Sequence, residues 1–434
     1  MKNEMTLSIN NFGPINSAKI NIGKINVITG QNGSGKTTSS KLIYSLLASV
    51  SFDGVALLAE NIKDRFDNVI MLAFSKADYD KERTTIAKFS KRIDQHFNDL
   101  IELKSIIDEF KEFLNEKELD YENIIYKIEE INNIFQFSKD KEHMNTEILS
   151  TLLKKEFNLE NQLNKSSKVC LYSKSKCNFQ LSMEKENEKE FIISFNNKLS
   201  KCLNVNDVVY LETPYILDLG NTNARRTFFG NFIFHQDFLI EKLKDNSIDK
   251  DIFDKDLNNE IDLILDEIKE IVEGELYFDY ENNDFKFKKN DKIFDMKDTA
   301  NGQKQIGILQ LLLKNRKLSK NSYLIIDEPE AHLHPDWQLK LIKVLFLLVK
   351  KLNITLYINS HSPNFIEGLE VFSENYGLGK DICFYSTHYI KDLNKYDFKR
   401  IPLNNLHTIY KTLGSPYEEI NEIRGKNIVK KLLK

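Results

Sequence analysis

One nine-residue segment, GQNGSGKTT (residues 30–38), constrains this chain more than any other part of its sequence. It follows a solidly apolar, strand-like run and precedes a helical pattern from Lys36 through Leu47. Glycines let the backbone wrap closely around phosphate, so that successive N–H groups point at its oxygens. Lys36 adds a positive charge for the β- and γ-phosphates, and the Thr37 hydroxyl is placed to ligate Mg²⁺. The segment is a complete Walker A loop, and the residues expected to bind ATP are Asn32, Gly33, Ser34, Gly35, Lys36, Thr37 and Thr38.

A second motif, YLIIDE (residues 323–328), is an apolar strand that ends in two acids. Two adjacent carboxylates at the end of a buried strand are unfavourable unless a cation or ligand uses them. As a Walker B motif, the segment assigns Asp327 to Mg²⁺ and Glu328 to orienting and deprotonating the attacking water. A solvated strand end is the alternative for this segment taken alone, and the Walker A loop in the same chain opposes it.

Two weaker motifs flank the Walker B strand. TANGQKQ (residues 299–305) opens a helix, and the free N–H groups at a helix start can bind phosphate, although an ordinary capped helix looks similar. His361 ends the following strand, where a histidine can contact the γ-phosphate, although a lone histidine there is more often structural. We expect Glu328 and His361 to be catalytic. The residues expected to contact nucleotide from the helix start are Asn301, Gly302 and Gln303.

The periodicity along the rest of the chain predicts an α/β fold with a helical insertion. Apolar spacings of three and four in a Lys/Glu-rich stretch predict helices, and alternation predicts short antiparallel strands. The predicted elements are an edge hairpin leading into a buried strand (6–29), antiparallel strands (168–196), a strand breaking at Pro214 (208–219), helices (255–273, 302–314, 336–351) and strands (322–326, 353–359). The predicted domains are the N-terminal part of the head with the Walker A loop (1–77), a helical insertion resembling a short coiled-coil arm (78–167) and the C-terminal part of the head (168–434).

The composition limits the class of protein and the cellular compartment that we expect. Hydrophobic residues make up 41% and charged residues 29% of the 434-residue chain, as in ordinary globular proteins. The net charge of −4 opposes a uniformly basic nucleic-acid binder but is compatible with a local basic patch. No apolar run reaches the roughly 20 residues of a membrane helix, and the first residues lack the apolar stretch of a secretion signal. Four scattered cysteines without metal-type spacing fit a reducing compartment, so we expect a cytoplasmic protein with no membrane partner.

These motifs, in this order, resemble the head domain of ABC-type ATPases, and specifically the SMC/RecF-like branch. The N-terminal segment resembles that branch down to its Phe12-Gly13-Pro14 turn, and TANGQKQ resembles the ABC signature. DEPEAHLHP (327–335) and NSHSPNF (359–365) resemble the OLD-like and PtuA-like ATPases of bacterial anti-phage systems. The resemblance covers about residues 1–50 and 205–370. It implies an α/β P-loop NTPase head with an antiparallel β subdomain and a helical insertion.

The resemblance also implies a homodimer, or a higher oligomer built from it, in which two subunits enclose two ATP molecules. The signature residues would then contact nucleotide bound to the other subunit, and His332, Leu333 and His334 would form the D-loop at the dimer seam. The sequence departs from the family pattern in three places. Ala300 replaces the signature serine, and His334 stands where transporters have aspartate. The Q-loop residue stays open, with Glu212, Thr213 and Gln236 as candidates. We therefore expect slow hydrolysis, or ATP that is used mainly as a dimer clamp.

Several biological roles are compatible with such a head. OLD nucleases carry a C-terminal Toprim domain, and about 70 residues after His361 are too few for one. We therefore expect a separate effector partner, a nuclease or toxin, as in PtuA-like, retron and PARIS-type defence systems. The alternative is a DNA-clamping ATPase of repair or maintenance, to which Arg225, Arg226 and the Lys-rich 340–351 stretch could contribute. The N-terminal segment and the helical insertion oppose a transporter subunit.

Overall fold

A computed structural model describes residues 5–51, 54–77, 80–96, 99–116, 122–135, 141–157, 163–173, 178–185, 191–196, 205–219, 235–245 and 255–432. The candidate DNA contacts Arg225 and Arg226 lie outside these ranges. The chain forms two compact units. The larger contains Met1–Leu47 and Leu153–Lys434, and the smaller contains Ala48–Leu152.

The strands and helices have the following bounds in chain order. The strands are β1 (Met5–Phe12), β2 (Ile15–Ile22), β3 (Ile25–Thr29), β4 (Leu163–Ser173), β5 (Asn178–Lys185), β6 (Phe191–Asn196), β7 (Val208–Leu211), β8 (Glu275–Asp279), β9 (Asp284–Lys289), β10 (Lys292–Asp295), β11 (Tyr323–Asp327), β12 (Thr355–Ser360), β13 (Ile382–Ile390) and β14 (Lys395–Ile401). The helices are α1 (Lys36–Ser51), α2 (Gly54–Lys76), α3 (Asp80–His96), α4 (Leu100–Asn115), α5 (Glu122–Phe135), α6 (Lys141–Glu156), α7 (His235–Lys244), α8 (Lys255–Val272), α9 (Asn301–Lys314), α10 (Pro335–Leu352), α11 (Pro363–Asn375) and α12 (His407–Leu432).

The larger unit is built on a mixed sheet whose 11 described strands have the order β6-β5-β4-β1-β2-β14-β13-β3-β12-β11-β7. Strands β13, β3, β12, β11 and β7 are parallel to one another. Their apolar runs follow from burial on both faces, because helices cover both sides of a parallel sheet. The antiparallel strands continue the same sheet beyond β14, and β8, β9 and β10 form a separate small sheet. This α/β architecture confirms the predicted fold class.

The register of the parallel strands aligns their carboxyl ends at one edge. Thr29 of β3 pairs with Ser360 of β12, and Asp327 of β11 pairs with Asn359. Leu211, the last residue of β7, pairs with Ile326. Ligands of open α/β sheets bind outside the carboxyl ends of the strands. The phosphate loop, the two acids and His361 therefore all follow strands that end at the same edge.

The smaller unit contains helices, as the three- and four-residue spacing predicted. Helix α4 buries Leu103, Ile106, Ile107, Phe110 and Leu114 along one face and is capped by Asp99, whose carboxylate accepts from two N–H groups. This unit spans Ala48–Leu152, whereas the predicted insertion spans residues 78–167.

One predicted strand is shorter than its sequence suggested. The apolar stretch 208–219 forms β7 only as far as Leu211, and a 3₁₀ helix occupies Pro214–Leu219. Proline cannot donate a ladder hydrogen bond, so the extended run ends before Pro214. Helix α9, α10 and strand β11 begin within one residue of their predicted starts. Among the described residues, no helix is both long and apolar enough to cross a bilayer.

Candidate nucleotide-binding site

The turn after β3 adopts a conformation that only glycine tolerates at several positions. Gly30, Gly33 and Gly35 have φ values of 151°, 77° and 94°. A Cβ atom on Gly30 would lie 1.8 Å from the Thr387 hydroxyl oxygen, and one on Gly35 would lie 2.6 Å from Ile15 Cγ1. At Gly33 a Cβ would meet nothing within 4 Å. The loop is therefore packed tightly on its inner side and open at Gly33, which is the shape of a phosphate cradle.

The Lys36 side chain folds back onto the backbone of this loop. Its Nζ donates to the carbonyl oxygens of Gly30 (2.9 Å) and Gln31 (3.0 Å). Burial lowers the pKa of the Lys36 ammonium, while the carboxylates of Glu328 and Asp327 oppose that shift. Lys36 thus lies within electrostatic reach of both acids. Of the other predicted ligands, Asn32, Gly33 and Thr37 are exposed, Thr38 is half-buried, and Ser34 and Gly35 are buried.

Ser34 supplies a further observation on the loop. Its hydroxyl oxygen is buried and makes no hydrogen bond in the described part of the chain. Unsatisfied buried polar atoms are uncommon in folded proteins and call for a partner. This orphan hydroxyl, the open side at Gly33 and the Lys36 ammonium together fit a phosphate group.

Asp327, at the end of β11, is buried among neutral donors. Its Oδ1 accepts from Ser40 Oγ (3.3 Å) and from the Asn359 amide, and its Oδ2 accepts from the Tyr210 hydroxyl (3.0 Å). Burial raises the pKa of the Asp327 carboxyl, and hydrogen bonds from Thr37, Tyr210 and Asn359 oppose the increase. A buried carboxylate without a positively charged hydrogen-bond partner is matched to a cation.

This donor set fits Mg²⁺ rather than a metal held wholly by protein. No group of three or more His, Cys, Asp or Glu side chains could hold a metal ion within the described ranges. Mg²⁺ is usually bound by one or two carboxylates together with substrate phosphates. Thr37 and Asp327, which the sequence predicted as Mg²⁺ ligands, lie within hydrogen-bonding reach of each other.

Glu328 and His361 face each other at the open side of the same edge. His361 Nδ1 lies 3.1 Å from Glu328 Oε1, and both side chains are about two-fifths exposed (43% and 37%). Glu328 has a φ of 45°, a left-handed conformation that is uncommon for residues with a side chain. Its N–H donates to the carbonyl oxygen of Asn359 (2.9 Å), which fixes the turn to β12. We call Lys36, Thr37, Asp327, Glu328 and His361 the strand-end site.

Glu330 is a site residue that the sequence analysis did not single out. It is buried, and its Oε1 accepts from Ser360 Oγ (2.7 Å) and from the backbone N–H groups of His361 (2.9 Å) and Ser362 (3.0 Å). Burial raises the pKa of the Glu330 carboxyl, and these hydrogen bonds oppose the shift. The sequence feature that could have identified Glu330 is its position as a third acid, two residues after the Walker B glutamate. It lies in a turn that must pack against the end of the next strand.

The signature residues make contacts elsewhere in the same subunit. Asn301 Nδ2 donates to the Tyr215 hydroxyl (3.2 Å), and Gln303 Nε2 reaches the carbonyl oxygen of Val272 (3.5 Å). Gly302 is buried, and a Cβ there would lie 2.5 Å from the Trp337 ring. These contacts place the three residues beside Tyr215, Val272 and Trp337 rather than against the phosphate loop of their own subunit.

A second group of buried and half-buried charged side chains contacts Tyr210 through the His235 ring. His235 faces a carboxylate at each ring nitrogen: Nδ1 lies 2.9 Å from Glu156 Oε1, and Nε2 lies 3.0 Å from Glu212 Oε2. Lys41 Nζ lies 3.6 Å from Glu156 and 3.9 Å from Glu212. We call Lys41, Glu156, Glu212 and His235 the His235 cluster. Apart from Glu212, which is a Q-loop candidate, the sequence analysis did not single out its members, because they are far apart in the chain.

The His235 cluster carries two cations and two anions. With a carboxylate at each ring nitrogen, His235 is a double donor and hence an imidazolium. Burial alone would lower the pKa of His235, but its hydrogen bonds to Glu156 and Glu212 raise it. The hydrogen bond from His235 lowers the pKa of Glu212 to about 2. Burial alone would raise the pKa of Glu156, but bonds from His235 lower it.

The three Q-loop candidates take different places. Glu212 directly follows β7, next to the end of β11, and accepts from His235 and from Gln236 Nε2 (2.9 Å). Thr213 Oγ1 accepts from the Tyr215 N–H (3.3 Å). Glu212 is therefore the candidate that follows a strand ending at the site edge, and Gln236 contacts it there.

Comparison with known proteins identifies the family model that this geometry fits. Residues 5–366 match the family model described as an AAA ATPase domain. The match includes the phosphate loop, the two acids and His361. No curated protein matched the sequence.

Solved structures with detectable similarity include three SMC heads. The SMC head domain from Thermotoga maritima shares 9% identity, at a TM-score of 0.39, over 92% of this chain and 99% of that one. An SMC head bound to the C-winged helix domain of ScpA shares 9% identity, at a TM-score of 0.44, over 93% and 98%. A head with an extended coiled coil bound to the C-terminal domain of ScpA, derived from Pyrococcus furiosus, shares 8% identity, at a TM-score of 0.39, over 96% and 98%. Likenesses this loose carry no information on activity or partners.

Proposed function

Because this chain belongs to the AAA ATPase domain family, we propose that it binds ATP with Mg²⁺ in the strand-end site and hydrolyses it to ADP and phosphate. The observation that carries the proposal is the meeting of four groups at one sheet edge. Lys36 lies within electrostatic reach of Asp327 and Glu328, and His361 lies 3.1 Å from Glu328. A positive group for phosphate, a buried acid for the metal and an accessible acid for water are the parts that phosphoryl transfer to water requires.

Each residue of the strand-end site then has a distinct role. The loop amides from Gly33 to Thr38 and the Lys36 ammonium hold the β- and γ-phosphates. Thr37 and Asp327 hold Mg²⁺, which neutralises charge on the phosphates when bound. Glu328, being accessible, accepts a proton from the attacking water, and His361 orients Glu328 and contacts the γ-phosphate. Asp327 is buried and held by neutral donors, so it does not serve as the base.

Two variants test this assignment. In Lys36→Ala, loss of the ammonium should weaken ATP binding by about 100-fold, measured by titration with a fluorescent ATP analogue. In Glu328→Gln, loss of the proton acceptor should lower kcat by about 1,000-fold while ATP still binds. Lys343→Ala, an exposed lysine of α10, serves as the control and should match the unmodified protein. Unchanged ATP affinity in Lys36→Ala would overturn the proposal.

We further propose that the working unit is a homodimer that encloses nucleotide. Asn301, Gly302 and Gln303 are candidates to contact ATP on the other subunit, which is consistent with their contacts to residues outside the phosphate loop of their own chain. With Ala300 as the N-cap of α9, no side chain caps this helix start. Light scattering after gel filtration should find Glu328→Gln with ATP as a dimer and Lys36→Ala as a monomer. A Glu328→Gln monomer at saturating ATP contradicts the enclosed dimer.

For the biological role we propose an ATPase of an anti-phage defence system that controls a separate nuclease or toxin. The support is the likeness of DEPEAHLHP and NSHSPNF to OLD-like and PtuA-like proteins. Slow hydrolysis would suit a timed switch of this kind. Purification of Glu328→Gln with ATP from its native host should co-elute such an effector, whereas Lys36→Ala should not. Salt-dependent duplex-DNA binding with ATP, and no co-eluting effector, would favour the alternative DNA-clamping role instead.

A further inference from the structure

Glu330 joins two segments that both carry groups of the strand-end site. Its carboxylate oxygen Oε1 takes three hydrogen bonds from the consecutive residues Ser360, His361 and Ser362. Those residues lead from β12 into α11, and His361 stands in the middle of them. One buried oxygen therefore fixes the backbone on both sides of His361.

The turn that carries Glu330 is also held by backbone hydrogen bonds. Glu330 lies two residues after Glu328 in a turn closed by the Ala331 N–H, which donates to the Glu328 carbonyl oxygen (2.9 Å). The Glu328 N–H in turn donates to the Asn359 carbonyl oxygen (2.9 Å). Both acids of this turn are thus tied to the stretch 359–362, Glu328 through its backbone N–H and Glu330 through its side chain.

The exposures of the two acids separate their roles. The Glu328 side chain is 37% exposed, whereas that of Glu330 is 4% exposed. Glu330 Oε1 lies 3.7 Å from His361 Nδ1, which is 3.1 Å from Glu328 Oε1. Glu330 is thus buried beside the accessible Glu328, and it contacts the segment that sets the position of His361.

We propose that Glu330 is a positioning residue of the hydrolytic reaction, which fastens the Ser360–Ser362 segment so that His361 faces Glu328. This inference rests on the proposed ATP hydrolysis at the strand-end site. Glu330 acts through geometry: its oxygen holds the N–H groups of His361 and Ser362 where they place the imidazole beside the base. A misplacement of about 1 Å in such a constellation can lower a rate by about 100-fold.

Two substitutions separate the effect of the length of the Glu330 side chain from the effect of its charge. Glu330→Asp keeps the charge but withdraws the oxygens by one methylene, so it should lower kcat at least about tenfold with KM for ATP unchanged. Glu330→Gln keeps the reach, and its amide oxygen can still accept from the same donors. It should therefore retain most of the activity that Glu330→Asp loses. Ile366→Val, which trims the buried face of α11, controls for general loss of packing and should leave kcat unchanged.

A double-mutant cycle with His361→Ala completes the test. If Glu330 acts through His361, adding Glu330→Asp to His361→Ala should lower kcat by less than twofold further. A full tenfold loss in the His361→Ala background, or wild-type kcat in Glu330→Asp, overturns the positioning role while leaving the proposed ATPase activity intact. If Glu328→Gln hydrolyses ATP at the wild-type rate, the proposed function itself fails, and this inference fails with it.

Hydrogen exchange tests the structural premise without any activity. The N–H groups of His361 and Ser362 should exchange slowly in the unmodified protein and at least about tenfold faster in Glu330→Asp, because they lose their acceptor. Glu330→Gln should resemble the unmodified protein. Equal exchange in Glu330→Asp and the unmodified protein would show that this carboxylate does not hold the segment.

Discussion

The strand-end site and the His235 cluster both contact Tyr210, and both bury a carboxylate, yet they balance charge differently. The Tyr210 hydroxyl donates to Asp327, and the Tyr210 ring centroid lies 4.3 Å from that of His235. In the His235 cluster, two acids meet an imidazolium and an ammonium. Asp327, by contrast, has only neutral hydrogen-bond donors among the described residues.

The pKa directions follow from this difference. Burial raises the pKa of Asp327, because donors without charge offset only part of the desolvation. The pKa of Glu212 falls to about 2, because His235 supplies a charged donor. The charges of the His235 cluster are balanced within the chain, whereas Asp327 in the strand-end site is matched to an added cation. The His235 cluster is therefore suited to stabilising the fold, and the strand-end site is suited to binding a metal with nucleotide.

The largest expected effect on stability comes from a substitution that breaks the His235 cluster. His235→Ala removes a cation bonded to two carboxylates and leaves Glu156 buried with a poorer partner. Breaking a buried pair in this way lowers the free energy of unfolding by about 3–5 kcal/mol. Urea titration should find this loss, while His388→Ala, an exposed histidine of β13, should stay within about 0.5 kcal/mol of the unmodified protein. Equal stabilities of the two variants would show that the cluster does not hold the fold.

The next effect concerns activity more than stability. Asp327→Asn removes the charge expected to bind Mg²⁺, so kcat should fall by about 100-fold, or about 2.7 kcal/mol of transition-state stabilisation. The thermal midpoint should not fall, because the variant removes a buried charge that neutral donors stabilise poorly. The matched variant Glu156→Gln removes one charge from the complete cluster and should lower the midpoint. If Asp327→Asn destabilised the protein as much as Glu156→Gln does, the contrast between the clusters would be wrong.

The smallest expected effect is the pH dependence of stability. His235 has a raised pKa, so its contribution is fully present below its ordinary pKa of about 6.5 and is lost as pH rises through the raised value. Glu212 has a lowered pKa, so its contribution is present above about 4.5 and is lost as pH falls towards about 2. The stabilisation should be greatest between these limits, changing by about 2 kcal/mol outside them. Urea titrations across this range should find the change in the unmodified protein and a flatter profile in His235→Ala.

The local sequence pattern predicted the elements that form the strand-end site. The glycine turn between an apolar strand and a helix, and the two acids after a second apolar strand, are contiguous motifs whose chemistry depends on residues close in sequence. Glu330 was within reach of the same reasoning, since it belongs to the same turn, but its partners at the end of β12 and just after it are about 30 residues away. Only the register of β11 and β12 brings them together.

The sequence by itself determined the fold class, the phosphate loop and the order of the acids along the chain, because strand and helix periods and glycine turns are local properties. Tertiary structure decided which charges meet. The His235 cluster joins three distant segments, since Glu156 ends α6, Glu212 follows β7 and His235 begins α7. No sequence spacing predicts their contact. It also decided that β7 ends beside β11, which places Glu212 next to the Mg²⁺ candidate Asp327. Buried charge is balanced between segments distant in sequence, so its arrangement exists only once the sheet has formed.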